Sequence, residues 1–304
     1  MHTDVSGATG SGKSTVLANI AGHLLETGRT VVAIDTDHDF AAQVFAAATA
    51  VDLPVLVLNA SDPRSLQLEV LPAAGEVDDD ALALARSRLS DGLTSLWPSE
   101  YTGPRWRAIA DQTVELLAHI PGAHPLAHAR DVLLADTLDV LRRSDVPQRL
   151  VQSLHHVVSA SDDLVGWVVS KFATLDRRPA ARRIIAPVGG GIRSEQAIDG
   201  YRAVIVNLGA DAASREEVTM LGHVVLGALL DVAMSRAVDA RFPVTFLVDE
   251  AHRYPDERLC RILTQGRKFS VSLVAAYQHL TQLSGALRTV RVTLGVGEVT
   301  RCFR

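Results

Sequence analysis

Cysteine is scarce. Cys260 and Cys302 are the only two, too few for a disulfide framework or a thiolate metal cluster, and they read as buried free thiols of a reducing compartment. Lysine is scarcer than its charge class suggests: only Lys13, Lys171 and Lys268 occur, the other basic residues being arginine, which reads as coding bias. Positive charge is not in surplus. The formal net charge is −5, so no bulk field grips nucleic acid and any such contact must be local. No base-reading element is recognisable, so sequence specificity towards DNA is not expected. No secretory leader is expected, because the first motif begins at Gly7. No apolar run is long enough to span a bilayer. Met220 to Met234 comes nearest, but His223 and Asp231 interrupt it, and a buried amphipathic helix is expected there. Together these absences point to a cytoplasmic protein.

What is present is a phosphate loop. Gly7-Ala8-Thr9-Gly10-Ser11-Gly12-Lys13-Ser14 fits G-x-x-x-x-G-K-[ST] at every required position, with Thr15 following. Glycines let backbone N–H groups crowd a polyphosphate without side chains in the way. Lys13 is placed to reach the outer phosphates and the Ser14 hydroxyl to sit on a magnesium ion. Val16, Leu17, Ile20, Ala21 and Leu24 then recur at helical spacing and Gly28 stops the helix, whose positive end faces the anion. Only Met1 to Ser6 precede the loop, with Asp4 in the middle, where a buried strand normally stands. The front end therefore reads as shortened.

Residues 30–34 and 55–58 are short apolar runs that alternate with a helical stretch over 40–50. Such alternation predicts a parallel sheet covered on both faces. From Asp78 the pattern turns helical: 82–97, 104–120, 136–144, 147–159 and 162–175. Residues 78–177 read as an all-helical insertion within an α/β core made of 1–77 and 178–304. Trp97, Trp106 and Trp167 all fall in it, and core packing suits them better than base stacking. Arg177, Arg178, Arg182 and Arg183 form a small basic cluster, either a solvated turn or a phosphate contact. The sheet resumes at 203–208, a helix is expected over 214–238, and strands return at 244–248 and 271–276, with a last apolar piece over 299–303.

The apolar strand Val244–Val248 delivers Asp249 and Glu250 to its carboxyl tip, the edge at which open parallel sheets bind ligands. An aspartate there can hold magnesium, and the adjacent glutamate can polarise a water aimed at the γ-phosphate. Gln278, just past the strand 271–276, is placed at the same edge as a γ-phosphate sensor. Arg267 closes the preceding helix. It is either a finger serving a neighbouring subunit or a charge that complements the helix dipole, and Lys268 is its rival.

The runs Gly7–Thr15, Thr245–His252 and Gln265–Gln278 resemble the FtsK–HerA superfamily of DNA-pumping ATPases, most nearly its HerA-like and TraG-like conjugative coupling members. Residues 204–208 and Gly103-Pro104-Arg105-Trp106 are similar to that group too. The resemblance spans nearly the whole chain and is strongest over 7–35 and 203–283. It implies a RecA-like P-loop NTPase core that binds ATP and Mg2+, assembles as a homo-hexamer and drives DNA through its pore. By position, Lys13 and Ser14 would be the nucleotide and magnesium residues, Asp249 and Glu250 the magnesium and catalytic pair, Gln278 the sensor, and Arg267 the finger in trans. A nuclease, or a secretion-system or relaxase component, is the implied protein partner. Members carry a β-barrel or membrane segment before the loop and more chain after the last strand. Against that pattern the sequence reads as truncated at both ends, with membrane association left to a missing region or a partner. The alternative is a nucleotide-binding interaction module that hydrolyses little. Asp249-Glu250-Ala251-His252 also spells the acidic box of the DEAH helicases, but in those the box follows the loop far more closely and a Ser-Ala-Thr motif comes next.

Overall fold

The computed structural model describes residues 2–160, 162–176, 179–209, 214–254, 256–283 and 297–300. In chain order these form β1 (Thr3–Ser6), α1 (Lys13–Glu26), β2 (Thr30–Asp35), α2 (Asp39–Ala50), β3 (Val55–Asn59) and β4 (Leu68–Glu69). A helical stretch follows: α3 (Asp79–Thr94), α4 (Pro104–Ala118), α5 (Ala135–Leu141), α6 (Gln148–Ala160), α7 (Asp162–Asp176) and α8 (Pro179–Ile184). Then come β5 (Ile192–Arg193), α9 (Ser194–Gly200), β6 (Ala203–Asn207), α10 (Arg215–Leu221), α11 (Gly227–Ser235), β7 (Val244–Val248), α12 (Asp256–Gln265), β8 (Val271–Tyr277) and β9 (Gly297–Thr300).

Seven strands make one sheet in the order β3-β6-β2-β7-β8-β1-β9, and every pairing in it is parallel. Its strands are apolar on both sides because both faces are covered. Alternate residues divide the two cores. Val31, Ala33, Ile205, Leu247 and Val274 face α1 and α2, whereas Val32, Ile34, Val204, Phe246 and Leu273 join the core built with the helical stretch and α10–α12. The second core runs without a break from the sheet into Trp106, Leu150 and Phe172.

Three sequence expectations are corrected. The strand ahead of the phosphate loop is present: β1 pairs β8 on one side and β9 on the other, and Val5 is fully buried. Asp4 fits this buried strand because the Tyr277 hydroxyl of β8 donates to its Oδ2 at 2.9 Å. The last apolar piece begins earlier than expected, at Gly297, and residues 301–304 lie outside the described ones, as do Arg177 and Arg178 of the basic cluster. The apolar helix starts at Arg215, passes through a π-helical turn at Gly222–Leu226, and ends at Ser235 rather than 238. At 21 residues and a mean hydropathy of 1.7 it is long and apolar enough to cross a membrane, contrary to the reading of shorter runs; here 78% of its apolar window is packed inside the protein.

Of the three tryptophans, Trp106 packs in the core as expected, Trp97 is partly buried against it, and Trp167 is exposed, contrary to the expectation. Trp106 is fully buried, edge-on to Trp97 at 5.2 Å and to Trp167 at 6.1 Å between ring centres. The Lys171 ammonium sits 4.1–4.8 Å from all three ring centres, a cation–π contact that joins α7 to α4.

The helical stretch is also tied to the rest by charge. Asp231 of α11 is buried and takes Arg88 of α3 at 2.8 Å, with Arg261 of α12 in direct contact and Arg258 at 3.9 Å. Removing the single carboxylate would leave buried guanidinium groups facing one another. Asp231→Ala is therefore expected to cost about 3–5 kcal/mol of stability. A urea unfolding midpoint at pH 7.5 checks this; an unchanged midpoint would show that the network contributes nothing.

Candidate nucleotide-binding site

The phosphate loop leaves the tip of β1 and turns directly into α1. Gly7 N–H donates to the Tyr277 carbonyl at 3.4 Å, which anchors the loop on β8. Gly10 and Gly12 have φ of 76° and 86°, backbone that only glycine adopts cheaply. A Cβ on Gly7 would stand 2.5 Å from Ser11 Oγ, so a side chain there would close the cradle. Ser11 Oγ is itself buried without a hydrogen-bond partner.

Asp78 caps α3 and Ser214 caps α10 through their side chains, whereas α1, like α2, α4 and α5, starts without a side-chain cap from its N-cap residue. The first-turn N–H groups of α1 thus have no side-chain acceptor, the arrangement in which a helix end receives an anion. Lys13 is buried along its stem, and its Nζ donates to the Ala8 carbonyl at 3.2 Å, across the mouth of the loop. Ala8, Thr9, Gly10 and Thr15 are exposed, so the cradle opens to solvent.

The acidic pair arrives from β7, two strands away. β8 lies between β1 and β7, and all three end at the same edge. Ser14 Oγ donates to Asp249 Oδ2 at 3.2 Å, and the Glu250 N–H donates to Asp249 Oδ1 at 2.9 Å. Glu250 has φ 46° and ψ 49°, a left-handed kink that turns its side chain away from that of Asp249. Its Oε1 accepts from Gln278 Nε2 at 3.4 Å. Lys13, Ser14, Asp249, Glu250 and Gln278 are therefore neighbours at one sheet edge.

Arg267 and Lys268 are not among them. Both are exposed in the turn that precedes β8, at the opposite end of that strand, about 20 Å from the cradle at about 3.3 Å per residue. The physical reason is direction: β8 runs from this turn towards the phosphate loop. Arg267 is therefore out of reach of a phosphate held in its own cradle.

Electrostatics at the edge are unbalanced. Burial first, and then the Asp35 and Glu250 carboxylates, push the Asp249 pKa up to about 6, against the Glu250 N–H and the Ser14 hydroxyl. Asp35, at the tip of β2, is fully buried and also raised by burial, although the N–H groups of Asp37 and Ala41 donate to it at 2.9 and 2.7 Å. Such an acidic tip fits a cation held by Ser14 and Asp249. Among the described residues no group of three His, Cys, Asp or Glu could hold an ion alone. An ion here would complete its shell with phosphate oxygens and water, as magnesium does.

Residues 3–189 match the CobQ/CobB/MinD/ParA nucleotide binding domain. The chain belongs to this family. The family match covers the loop, Lys13 and Ser14, while Asp249, Glu250 and Gln278 lie beyond it. No curated protein matches the sequence. Among solved structures, this family member is similar to the bacterial conjugative coupling protein TrwB in its unbound form, with TM-score 0.61 and 16% identity over 95% of this chain and 67% of that one. The same plasmid coupling protein in complex with ADP and Mg2+ gives 0.61 at 17%, over 95% and 68%. VirB4 of Thermoanaerobacter pseudethanolicus gives 0.58 at 14%, over 96% and 74%. These likenesses show a shared P-loop NTPase fold.

Sequence reading missed two parts of the edge. Asp35 ends an apolar strand and carries no motif, and His252 figures in the sequence only as the last residue of a DEAH-like box. Asp249 supplies a prediction. Its folded carboxyl releases its proton near pH 6, whereas an unfolded aspartate does so near 3.9, so stability falls as pH rises between those values. In protein free of nucleotide and magnesium, Asp249→Asn should raise the thermal midpoint by a few degrees at pH 7.5 and by much less at pH 4.5. In the same variant, magnesium-dependent binding of a fluorescent ATP analogue should weaken about tenfold or more. An unchanged affinity would remove Asp249 from the ion site.

Proposed function

We propose that the chain is the ATP-hydrolysing core of a DNA translocase of the FtsK–HerA type, nearest its HerA-like and TraG-like members. The observation that carries this reading is the 3.2 Å contact of Ser14 with Asp249, beside Glu250 and Gln278. It supports a site that handles the outer phosphates of a nucleotide rather than one that merely holds an anion. Lys13 and the loop N–H groups would bind the phosphates, and Ser14 and Asp249 would hold Mg2+. That ion, when bound, withdraws charge from the β- and γ-phosphates. Glu250 would take the proton of a water whose oxygen bonds to the γ-phosphorus. The bond from that phosphorus to the β-bridging oxygen breaks with its electron pair staying on ADP, and inorganic phosphate leaves. Gln278 would orient the water or contact the γ-phosphate.

The rest of the proposal rests on resemblance. TrwB is described as a plasmid coupling protein and is solved with ADP and Mg2+. A homo-hexameric ring would set Arg267, or Lys268, of one subunit beside the nucleotide of the next, in keeping with their distance from their own cradle. Residues 78–177 would be an insertion in a RecA-like core of 1–77 and 178–304. DNA would be moved without regard to sequence, in partnership with a nuclease or a secretion-system or relaxase component. A second reading, a nucleotide-binding interaction module that hydrolyses little, draws on the Gln278 contact that occupies Glu250 Oε1.

The test is ATP hydrolysis with and without DNA. Hydrolysis is expected to rise with DNA and to fall about 10²-fold or more in Glu250→Gln. Turnover indifferent both to DNA and to Glu250→Gln would overturn the motor reading.

A further inference from the structure

Glu250 is held by a hydrogen bond on one side only. Gln278 donates to Oε1, but Oε2 is buried with no hydrogen-bond partner. His252 Nδ1 stands 3.3 Å from it and is likewise buried and without a hydrogen-bond partner. The two atoms are within hydrogen-bond distance but do not make a hydrogen bond in this conformation. Each therefore bears the cost of burial without a partner. Contacts of this kind around a reacting group are often loose before substrate binds.

The ring is placed by a braced segment. Ala251–Arg253 form a single 3-10 turn, closed by the Arg253 N–H on the Glu250 carbonyl at 2.9 Å and the Tyr254 N–H on the Ala251 carbonyl at 3.2 Å. Thr219 of α10 donates to the Arg253 carbonyl at 3.2 Å, and Tyr254 is buried beneath the turn. His252 and Glu250 side chains are 16% and 8% exposed, so little water competes for either. Burial, with help from Arg253 and Arg215, lowers the His252 pKa against the pull of Glu250, so the ring carries one hydrogen at pH 7.5. The atom 3.3 Å from Nδ1 is a carboxylate oxygen, which can only accept, and this favours that hydrogen on Nδ1.

We propose that His252 is a positioning residue for Glu250: its Nδ1–H pins Oε2 and so fixes the rotation of the carboxylate, leaving Oε1 to exchange the Gln278 amide for the attacking water. The proposal rests on the reading of Glu250 as the group that takes the water's proton. It gives a role to the mostly buried His252 ring that follows the acidic pair.

Two measurements on the full chain test it. In nucleotide-free protein, 15N chemical shifts of the His252 ring are expected to report the Nδ1–H form, and Glu250→Ala should return the ring to the commoner Nε2–H form. In turnover, His252→Ala is expected to lower kcat about tenfold or more while KM and the affinity for an ATP analogue stay within about twofold. His252→Asn, whose amide can stand where Nδ1 stands, should restore kcat to within about threefold. An Nε2–H ring in the unaltered protein would overturn the proposal even if His252→Ala fails to fold. A kcat unchanged in His252→Ala, with Glu250→Gln inactive, would overturn the positioning role and leave the proton-acceptor reading standing. Full turnover in Glu250→Gln would overturn both.

Discussion

One hydrogen bond joins two halves of the chain that are 235 residues apart: Ser14 Oγ to Asp249 Oδ2. Everything else at the site is arranged so that this contact can form. β1 must end where β7 ends, and β8 must lie between them at matching height. The register does this, since Ser6 stands beside Tyr277 on one side of β8 and Val248 beside Ala275 on the other. A slip of one residue would turn every side chain to the other face and move Asp249 away from Ser14.

That arrangement concentrates negative charge. Asp35, Asp249 and Glu250 lie buried at the tips of neighbouring strands, and burial works against the ionised forms of Asp35 and Asp249. The surrounding chain supplies one ammonium, Lys13, and it is turned onto the Ala8 carbonyl. The edge is therefore built for a charge that arrives from outside, with the open first turn of α1 ready for the opposite charge a few ångströms along. A magnesium-bound polyphosphate brings both signs together. Neither a bare anion nor a bare cation would satisfy the whole edge.

The support behind the edge is continuous. Apolar packing passes from β2, β6 and β7 into the helical stretch without a gap, and Asp231 fastens α3, α11 and α12 through three arginines. Movement of α12 would thus be felt by α3, and by the turn of His252 that precedes α12 in the chain. The central strands β2, β6 and β7 are buried, whereas Ala8, Thr9 and Gly10 of the cradle face solvent.

Local chemistry was legible from the sequence alone. Glycine at 10 and 12 announces left-handed backbone, apolar runs of five or six residues announce buried strands, and Asp249-Glu250 after such a run announces an acidic tip. Each depends on residues within one turn or one strand, so the pattern carries it. The parallel sheet followed from alternation of strands and helices, and the phosphate loop from its spacing. Only the tertiary structure decided what meets what. It set β8 between β1 and β7, found a strand in the four residues before the loop, and put His252 and Gln278 on opposite sides of Glu250. It also set Arg267 far from its own cradle. These are contacts between segments distant in sequence, created by packing and register, and no local periodicity encodes which strand will lie beside which.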